Sequence, residues 1–228
     1  MHALILAAGR GARMRPLTDH TPKPLLAVGG KPLVVRQIEA LRRAGIVDIA
    51  INVGWLGHCF EPVLGDGSAF GVRLAYSVEP STAWETGGGI ATALELLGDG
   101  PFVVASGDIE TDFDYSALLA PAAAIAADPD HTAAHFVLVD NPPFHPLGDM
   151  ALDGSGRVQR SGTLLNYGNI GVFHPQLFAH EAKRAQWKLF PWAYRFVDQQ
   201  RVSGQHHRGR WNNVGTPEQL DRLDRLLT

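Results

Sequence analysis

A single cysteine, Cys59, in a chain of 228 residues leaves no partner for an internal disulfide. That fits a reducing compartment, and a cytoplasmic location is the expectation. Cys59 reads as a core thiol rather than a nucleophile, because no partner base is evident. No uninterrupted apolar run reaches the ~18 residues that a membrane span needs. The apolar start, His2 to Ala8, lacks a basic leading region and runs at once into charged residues, so it reads as a first strand and not a secretion signal. Positive charge is not in excess either, since the formal net charge is −3. The chain as a whole would attract neither nucleic acid nor an anionic membrane, and any phosphate affinity must be local. Two common phosphate loops are also missing. Met14 stands where the dinucleotide fingerprint begun by Gly9 and Gly11 needs its third glycine, and no Gly-Lys-Ser/Thr tripeptide exists for a Walker A loop. There is no internal repeat, no long low-complexity tract and no evident linker.

What is present suits an α/β protein. Hydrophobic residues make up 45% of the chain and charged residues 19%, enough for a substantial core in one domain spanning 1–228. Strands are expected at Ala3 to Ala7, Asp48 to Val53, Val72 to Ser77, Pro101 to Ser106 and Thr132 to Val139. Between them, helices are expected over Lys31 to Ala44, Trp55 to Leu64, Gly88 to Leu97 and Tyr115 to Ala127. Such alternation predicts a mostly parallel sheet covered on both faces. The later part adds a hairpin over Asp149 to Gln159, strands over Asn169 to Phe173 and Val202 to His207, and a helix over Lys188 to Gln199. A last helix opens with Thr216 as cap, Pro217 next and Gln219 three residues on, a capping-box pattern.

The chemistry gathers where strands end, which is where ligands sit in such sheets. Leu6-Ala7-Ala8-Gly9-Arg10-Gly11-Ala12-Arg13 is a glycine-bearing turn followed by cations, with Pro22-Lys23-Pro24-Leu25 soon after. Glycine lets backbone N–H groups approach phosphate oxygens closely. Arg13 can grip a phosphate through two parallel hydrogen bonds, and Lys23 adds a point charge. The two glycines alone favour an ordinary strand-to-loop turn; the long composite favours a nucleotide. Glu85-Thr86-Gly87-Gly88-Gly89 places three glycines at a helix start, a costly choice that either makes a flexible turn or brings backbone close to a base and ribose. Asp108, just past an apolar strand, suits either an Asx turn or Mg²⁺, and beside the first loop it leans to the metal. Asp112 and Asp114 read as turn and cap residues. Adjacent His206 and His207 point to opposite faces of a strand and cannot share a metal. His145, His174 and His180 lack ligand spacing, and Arg208 and Arg210 are cations on a late loop.

These residues, together with Trp211-Asn212-Asn213-Val214-Gly215-Thr216, resemble the sugar-1-phosphate nucleotidyltransferases along essentially the whole chain. Within that family the chain looks closest to the short N-acetylmuramate α-1-phosphate uridylyltransferases of cell-wall recycling. Asn52 before Trp55-Leu56-Gly57, the Glu-Thr-Gly-Gly-Gly run, Val139-Asp140-Asn141-Pro142 and Lys188-Leu189 carry that closer match. The resemblance implies a Rossmann-like, three-layer α/β/α fold with a mostly parallel mixed sheet. Residues 1–140 would bind the nucleotide and 141–228 the sugar phosphate. It also implies Mg²⁺ as cofactor, with a nucleoside triphosphate (UTP favoured) and a sugar 1-phosphate as partners. Arg13, Lys23 and Asp108 would be catalytic. Ala8, Gly9, Gly11, Asn52, Gly87 and Gly88 would meet the nucleotide with them. Lys188 would neutralise the sugar phosphate, while Asp140, Gly148, Asp149 and Asn169 would meet the sugar. Asp108 would hold the metal. The family usually places aspartate as a second ligand where this chain has Asn213, whose amide oxygen can still coordinate Mg²⁺ without the charge.

The sequence leaves base and acceptor open. Guanylyl or thymidylyl transfer to a hexose 1-phosphate, cytidylyl transfer to phosphocholine, and a sugar-nucleotide-binding regulatory module are the alternatives. A dinucleotide oxidoreductase is disfavoured by Met14. The expected assembly is a monomer or small homo-oligomer.

Overall fold

The computed structural model describes residues 1–228. In chain order it begins with β1 (His2–Leu6), the short pair β2 (Ala27–Val28) and β3 (Lys31–Pro32), α1 (Leu33–Arg43), β4 (Asp48–Val53), α2 (Phe60–Leu64) and β5 (Arg73–Val78). Next come α3 (Glu85–Ala93), β6 (Phe102–Ser106), β7 (Ile109–Thr111), α4 (Leu119–Ala127) and β8 (Ala134–Val139). The remainder adds the hairpin β9 (Ala151–Leu152) and β10 (Val158–Gln159), β11 (Asn166–Phe173), α5 (Leu189–Trp192), α6 (Tyr194–Asp198), β12 (Val202–His207), β13 (Trp211–Asn213) and α7 (Pro217–Leu227).

Seven of these strands form one sheet in the order β12-β8-β11-β6-β1-β4-β5. β1 lies parallel to β4 and β6, β4 to β5, and β8 to β12. Only β11 is antiparallel, between β6 and β8. This is the mostly parallel sheet that the strand–helix alternation implied, and β11 makes it mixed, as the family resemblance implied.

Alternating side chains divide the core between the two faces. Ala3, Ile5, Ile49, Ile51 and Val103 pack on one side beneath Val34, Ile38 and Leu41 of α1 and Ile125 of α4. Leu4, Ala50, Val104, Phe136 and Leu138 face the other way, beneath Ile90 of α3, Leu189 of α5 and Phe196 of α6. The result is three layers, with each sheet face closed by apolar helix surface. Cys59 lies half-buried at the rim of the first core, and its sulfur is 3.5 Å from His58 Nε2, a neighbour the sequence did not suggest. No helix is long and apolar enough to cross a membrane.

Several element boundaries differ from expectation for local reasons. Lys31 and Pro32 pair with Val28 and Ala27 instead of opening α1, since a residue before proline is pushed toward extended backbone. The helix expected from Lys188 to Gln199 breaks at Phe190 (φ −108, ψ 135), which also precedes a proline. The segments expected as helix from Trp55 and from Tyr115 begin as tight 3₁₀ turns, Gly57–Cys59 and Tyr115–Leu118. Asp114 caps the second through Ser116 N, as expected. The capping box of Thr216 and Gln219 forms in full at α7. β11 starts three residues earlier than expected, because an irregularity between Tyr167 and Ile170 lets the ladder continue past Asn169, which sits at φ +57.

Candidate active site

The carboxyl ends of β1, β4, β5 and β6 open onto a cleft of ≈ 470 Å³. Ala7 to Arg13 curl over β1's end. Ala7 N–H donates to Asn52 Oδ1 at 2.6 Å, and Ala8 C=O accepts from Trp55 N–H at 3.2 Å. Gly11 sits at φ +62, where a Cβ would come within 3.1 Å of Thr18 and 3.2 Å of Lys23. Glycine is therefore required there by both conformation and space. Gly9 has no other atom within 4 Å of a built Cβ, so its openness faces the cleft.

Lys23 and Asp108 meet across the floor. Lys23 is buried, and its Nζ lies 2.5 Å from Asp108 Oδ2, just past the end of β6. The ligand-free cleft thus balances its buried cation internally. Arg13 lies at the mouth and lines both this cleft and a second pocket.

Asn52 ties the two ends of the cleft together. Its Nδ2 donates to Glu79 Oε1 at 2.6 Å, and Glu79 Oε2 accepts Trp84 N–H at 2.8 Å. Glu79 is buried, which pushes its carboxyl pKa above the usual range, while the hydrogen bonds from Trp84 and Asn52 pull it back. Sequence reasoning passed over Glu79. Its signal was a carboxylate directly after an apolar strand, the same signal that singled out Asp108.

Gly87 and Gly88 do not reach the cleft. Their N–H groups both donate to Trp187 C=O, at 3.0 and 3.2 Å. A Cβ on Gly87 would lie 2.1 Å from the Trp187 ring, and one on Gly88 would lie 1.9 Å from Ala185 C=O. Close approach of backbone is the purpose of these glycines, but the partner is the chain's own 185–187 segment. Glu85 and Thr86, just before them, line the cleft instead.

The second pocket, ≈ 390 Å³, adjoins the first at Arg13. Asp149 and Asn169 line it beside Asn213, His145 and the rings of Phe190, Tyr194 and Trp211. Three other residues expected at the sugar lie elsewhere. Asp140 is exposed and pairs with His206 Nε2 at 2.8 Å. Gly148 (φ +68) packs on Asn141 and Leu164 and shapes the turn. Lys188 is exposed at the cap of α5 and lines neither pocket. His207 points away from His206 and pairs with Asp112 at 3.0 Å, as alternation along a strand requires.

Asn213 reaches the site through a small ladder. β13 pairs with β7, placing Asn213 opposite Ile109, and Val214 N–H donates to Asp108 C=O at 3.1 Å. Asn213 Oδ1 is buried and has no hydrogen-bond partner. A clamp holds the ladder: Arg210 Nε and Nη2 reach Glu110 at 2.9–3.1 Å, and Asn212 Nδ2 donates to Glu110 Oε2 at 3.0 Å. The paired carboxylate pushes the Arg210 pKa up. Glu110→Ala should cost about 2–3 kcal/mol, below the range for a fully buried pair because Arg210 is half exposed. It should also loosen Asn213. Thermal unfolding checks the first effect, and a Tm equal to that of the parent would refute the clamp.

The nucleotidyl transferase family profile matches residues 2–226. The chain belongs to the nucleotidyl transferase family. It is 49% identical to an N-acetylmuramate alpha-1-phosphate uridylyltransferase of Neisseria meningitidis, over 99% of this chain and 98% of that one. Identity to the Caulobacter vibrioides protein of the same name is 34%, over 95% and 92%. Among solved structures, a Bacillus anthracis protein described as a glucose-1-phosphate thymidylyltransferase, crystallised with sucrose, superposes with a TM-score of 0.84. It is 22% identical and aligns over 100% of this chain and 95% of its own, so it speaks to the fold alone. The Rossmann-like fold expected from the sequence is the fold of this nucleotidyltransferase.

Proposed function

We propose that this nucleotidyltransferase joins UTP to the phosphate of N-acetylmuramic acid α-1-phosphate, releasing pyrophosphate and forming a UDP-sugar for peptidoglycan recycling in the cytoplasm. The observation that carries the reading is Arg13, a cation shared by the phosphate-loop cleft and the polar, aromatic-walled pocket beside it. Two anionic substrates must meet, and a guanidinium between their pockets can grip both. Similarity to the Neisseria and Caulobacter proteins supports the choice of base and sugar.

A phosphate oxygen of the sugar 1-phosphate attacks the α-phosphorus of UTP. The new P–O bond forms as the bond to the β-phosphate breaks, and pyrophosphate carries the electron pair away. The attacking oxygen is already anionic near neutral pH, so the protein need not remove a proton. Its task is to position two polyanions and stabilise the charge gathering on the leaving group. The N–H groups of Ala8 and Gly9 border the phosphates. Lys23 faces the reacting α-phosphate, and Arg13 spans both partners. Glu79 and Thr86 border the base end.

The residues present suit Mg²⁺. No group of three or more His, Cys, Asp or Glu could hold a metal alone. Asp108 offers one carboxylate in the cleft, and on the strand joined to it through Val214 N–H the buried Asn213 Oδ1 lacks any partner. A donor-poor site of this kind fits an ion that takes one or two protein oxygens and completes its shell with phosphate and water. Asp108 and Asn213 would hold it, and it would supply neutralising charge beside the triphosphate.

The test is a matrix of the four nucleoside triphosphates against several sugar 1-phosphates, following pyrophosphate. UTP with N-acetylmuramic acid α-1-phosphate should give the highest kcat/KM. Preference for another triphosphate would overturn the base, preference for another sugar the acceptor, and no pyrophosphate with any pair the reaction itself.

A further inference from the structure

We infer that His145 reads an acidic substituent on the sugar, so that the second pocket is built for a carboxylated sugar 1-phosphate. The inference rests on the reading of that pocket as the sugar-phosphate site.

Charge in the pocket leads to this assignment. Of the residues lining it, only Arg13 and His145 can carry positive charge. Arg13 also lines the phosphate-loop cleft and serves the phosphates. A neutral hexose 1-phosphate needs no second cation, whereas N-acetylmuramic acid 1-phosphate carries a lactyl carboxylate besides its phosphate. His145 is the group left to meet it.

The ring is held for that task. His145 Nε2 lies 2.9 Å from Asp149 Oδ1. Asp149 is itself fixed, since its Oδ2 accepts Tyr167 N–H at 2.8 Å and its N–H donates to Leu165 C=O at 2.8 Å. Asp149 is thus largely engaged by the protein, and its chief side-chain task is to orient His145. The contact with Asp149 fixes the plane of the ring and which nitrogen turns to the protein. His145 Nδ1 makes no hydrogen bond within the protein and is left to meet a substrate, since the ring's one hydrogen bond is to Asp149. The other charged or titratable groups of the same pocket are Arg13, Tyr167 and Tyr194, with Arg160 stacked on Tyr194 at 4.6 Å. The loop is stiffened as well. Pro142, Pro143 and Pro146 flank the histidine, and His145 N–H closes a turn onto Pro142 C=O at 2.9 Å. A carboxylate would therefore meet a donor whose position is already set.

The experiment compares acid with neutral sugar on one protein. The kcat/KM values for N-acetylmuramic acid 1-phosphate and N-acetylglucosamine 1-phosphate, which differ only by the lactyl ether, are measured with UTP. The same pair is run on His145→Gln and His145→Lys. Glucuronic acid 1-phosphate against glucose 1-phosphate makes a second pair. His145→Gln should lower the acid-to-neutral ratio by roughly 10- to 100-fold, the worth of a charged hydrogen bond. His145→Lys, which keeps a cation, should retain most of the ratio. Equal losses on both sugars of a pair, or an unchanged ratio, would overturn the assignment. So would a parent enzyme with no preference for either acid. A parent that prefers glucuronic acid 1-phosphate but ignores the muramic substrate, with a ratio that collapses in His145→Gln, would leave His145 standing and remove the sugar named above.

Discussion

Asp108→Asn should lower kcat by about 10³-fold, the scale seen when one preorganised charge is removed from a reaction centre, while the protein stays folded. The main chain at 108 accepts Val214 N–H through its carbonyl, so the junction with β13 survives the substitution. What goes is the carboxylate that balances Lys23 and would hold the metal. Lys23 then stands buried without a counter-charge, and the Mg²⁺ concentration for half-maximal rate should rise along with the fall in kcat. Full activity in Asp108→Asn would remove Asp108 from the reaction centre. The companion variant is Asn213→Asp. A carboxylate at 213 should lower the Mg²⁺ requirement, and an unchanged requirement would show that position 213 is not a ligand.

The second large effect belongs to Gly88. An alanine there would put its methyl carbon 1.9 Å from Ala185 C=O, a contact no flexible side chain can yield to. The 185–187 segment must move away, taking Trp187 and the N–H contacts of Gly87 and Gly88 with it. Overpacking of this kind costs typically 1–3 kcal/mol, which for a chain of this length lowers Tm by roughly 2–12 °C. Gly100→Ala is the control. Nothing lies within 4 Å of a Cβ there, so its stability should change by no more than about 0.5 kcal/mol. A Gly88→Ala protein with the parent Tm would show that the segment does not rest on the glycines.

Much of this molecule can be read from its residues, and the line between legible and hidden follows the range of the interaction. The parallel strands stand out because each is a short apolar run bounded by turn residues, and the cap of α7 stands out because Thr216 and Gln219 are three positions apart. Gly9, Gly11, Arg13, Lys23 and Asp108 gather as expected because loops at strand ends in such a sheet share one edge. Gly87 and Gly88 show the limit. Their cost on a helix is visible in the sequence, but the backbone that approaches them lies a hundred positions downstream. Glu110 was hidden for the same reason, since Arg210, a hundred positions on, gives it its meaning; Glu79 carried the strand-end signal of Asp108, but its partner Asn52 could not be read beside it. β7 and β13 are three residues each, too short to show a period. Asp140, Gly148 and Lys188 lie near residues of the second pocket in sequence, but none of the three lines it.

The junction of Gly87 and Gly88 with Trp187 bears on how such enzymes could be recombined. A natural way to change the acceptor would be to graft the later part of one relative onto the earlier part of another. Here that graft would have to match a glycine pair on one side of the cut to an indole and a carbonyl on the other. It would also have to slide a foreign β11 between β8 and β6 of the host. The earlier and later stretches of chain are therefore not interchangeable cassettes. In this architecture a pocket is more readily altered by changing side chains within it than by exchanging its walls.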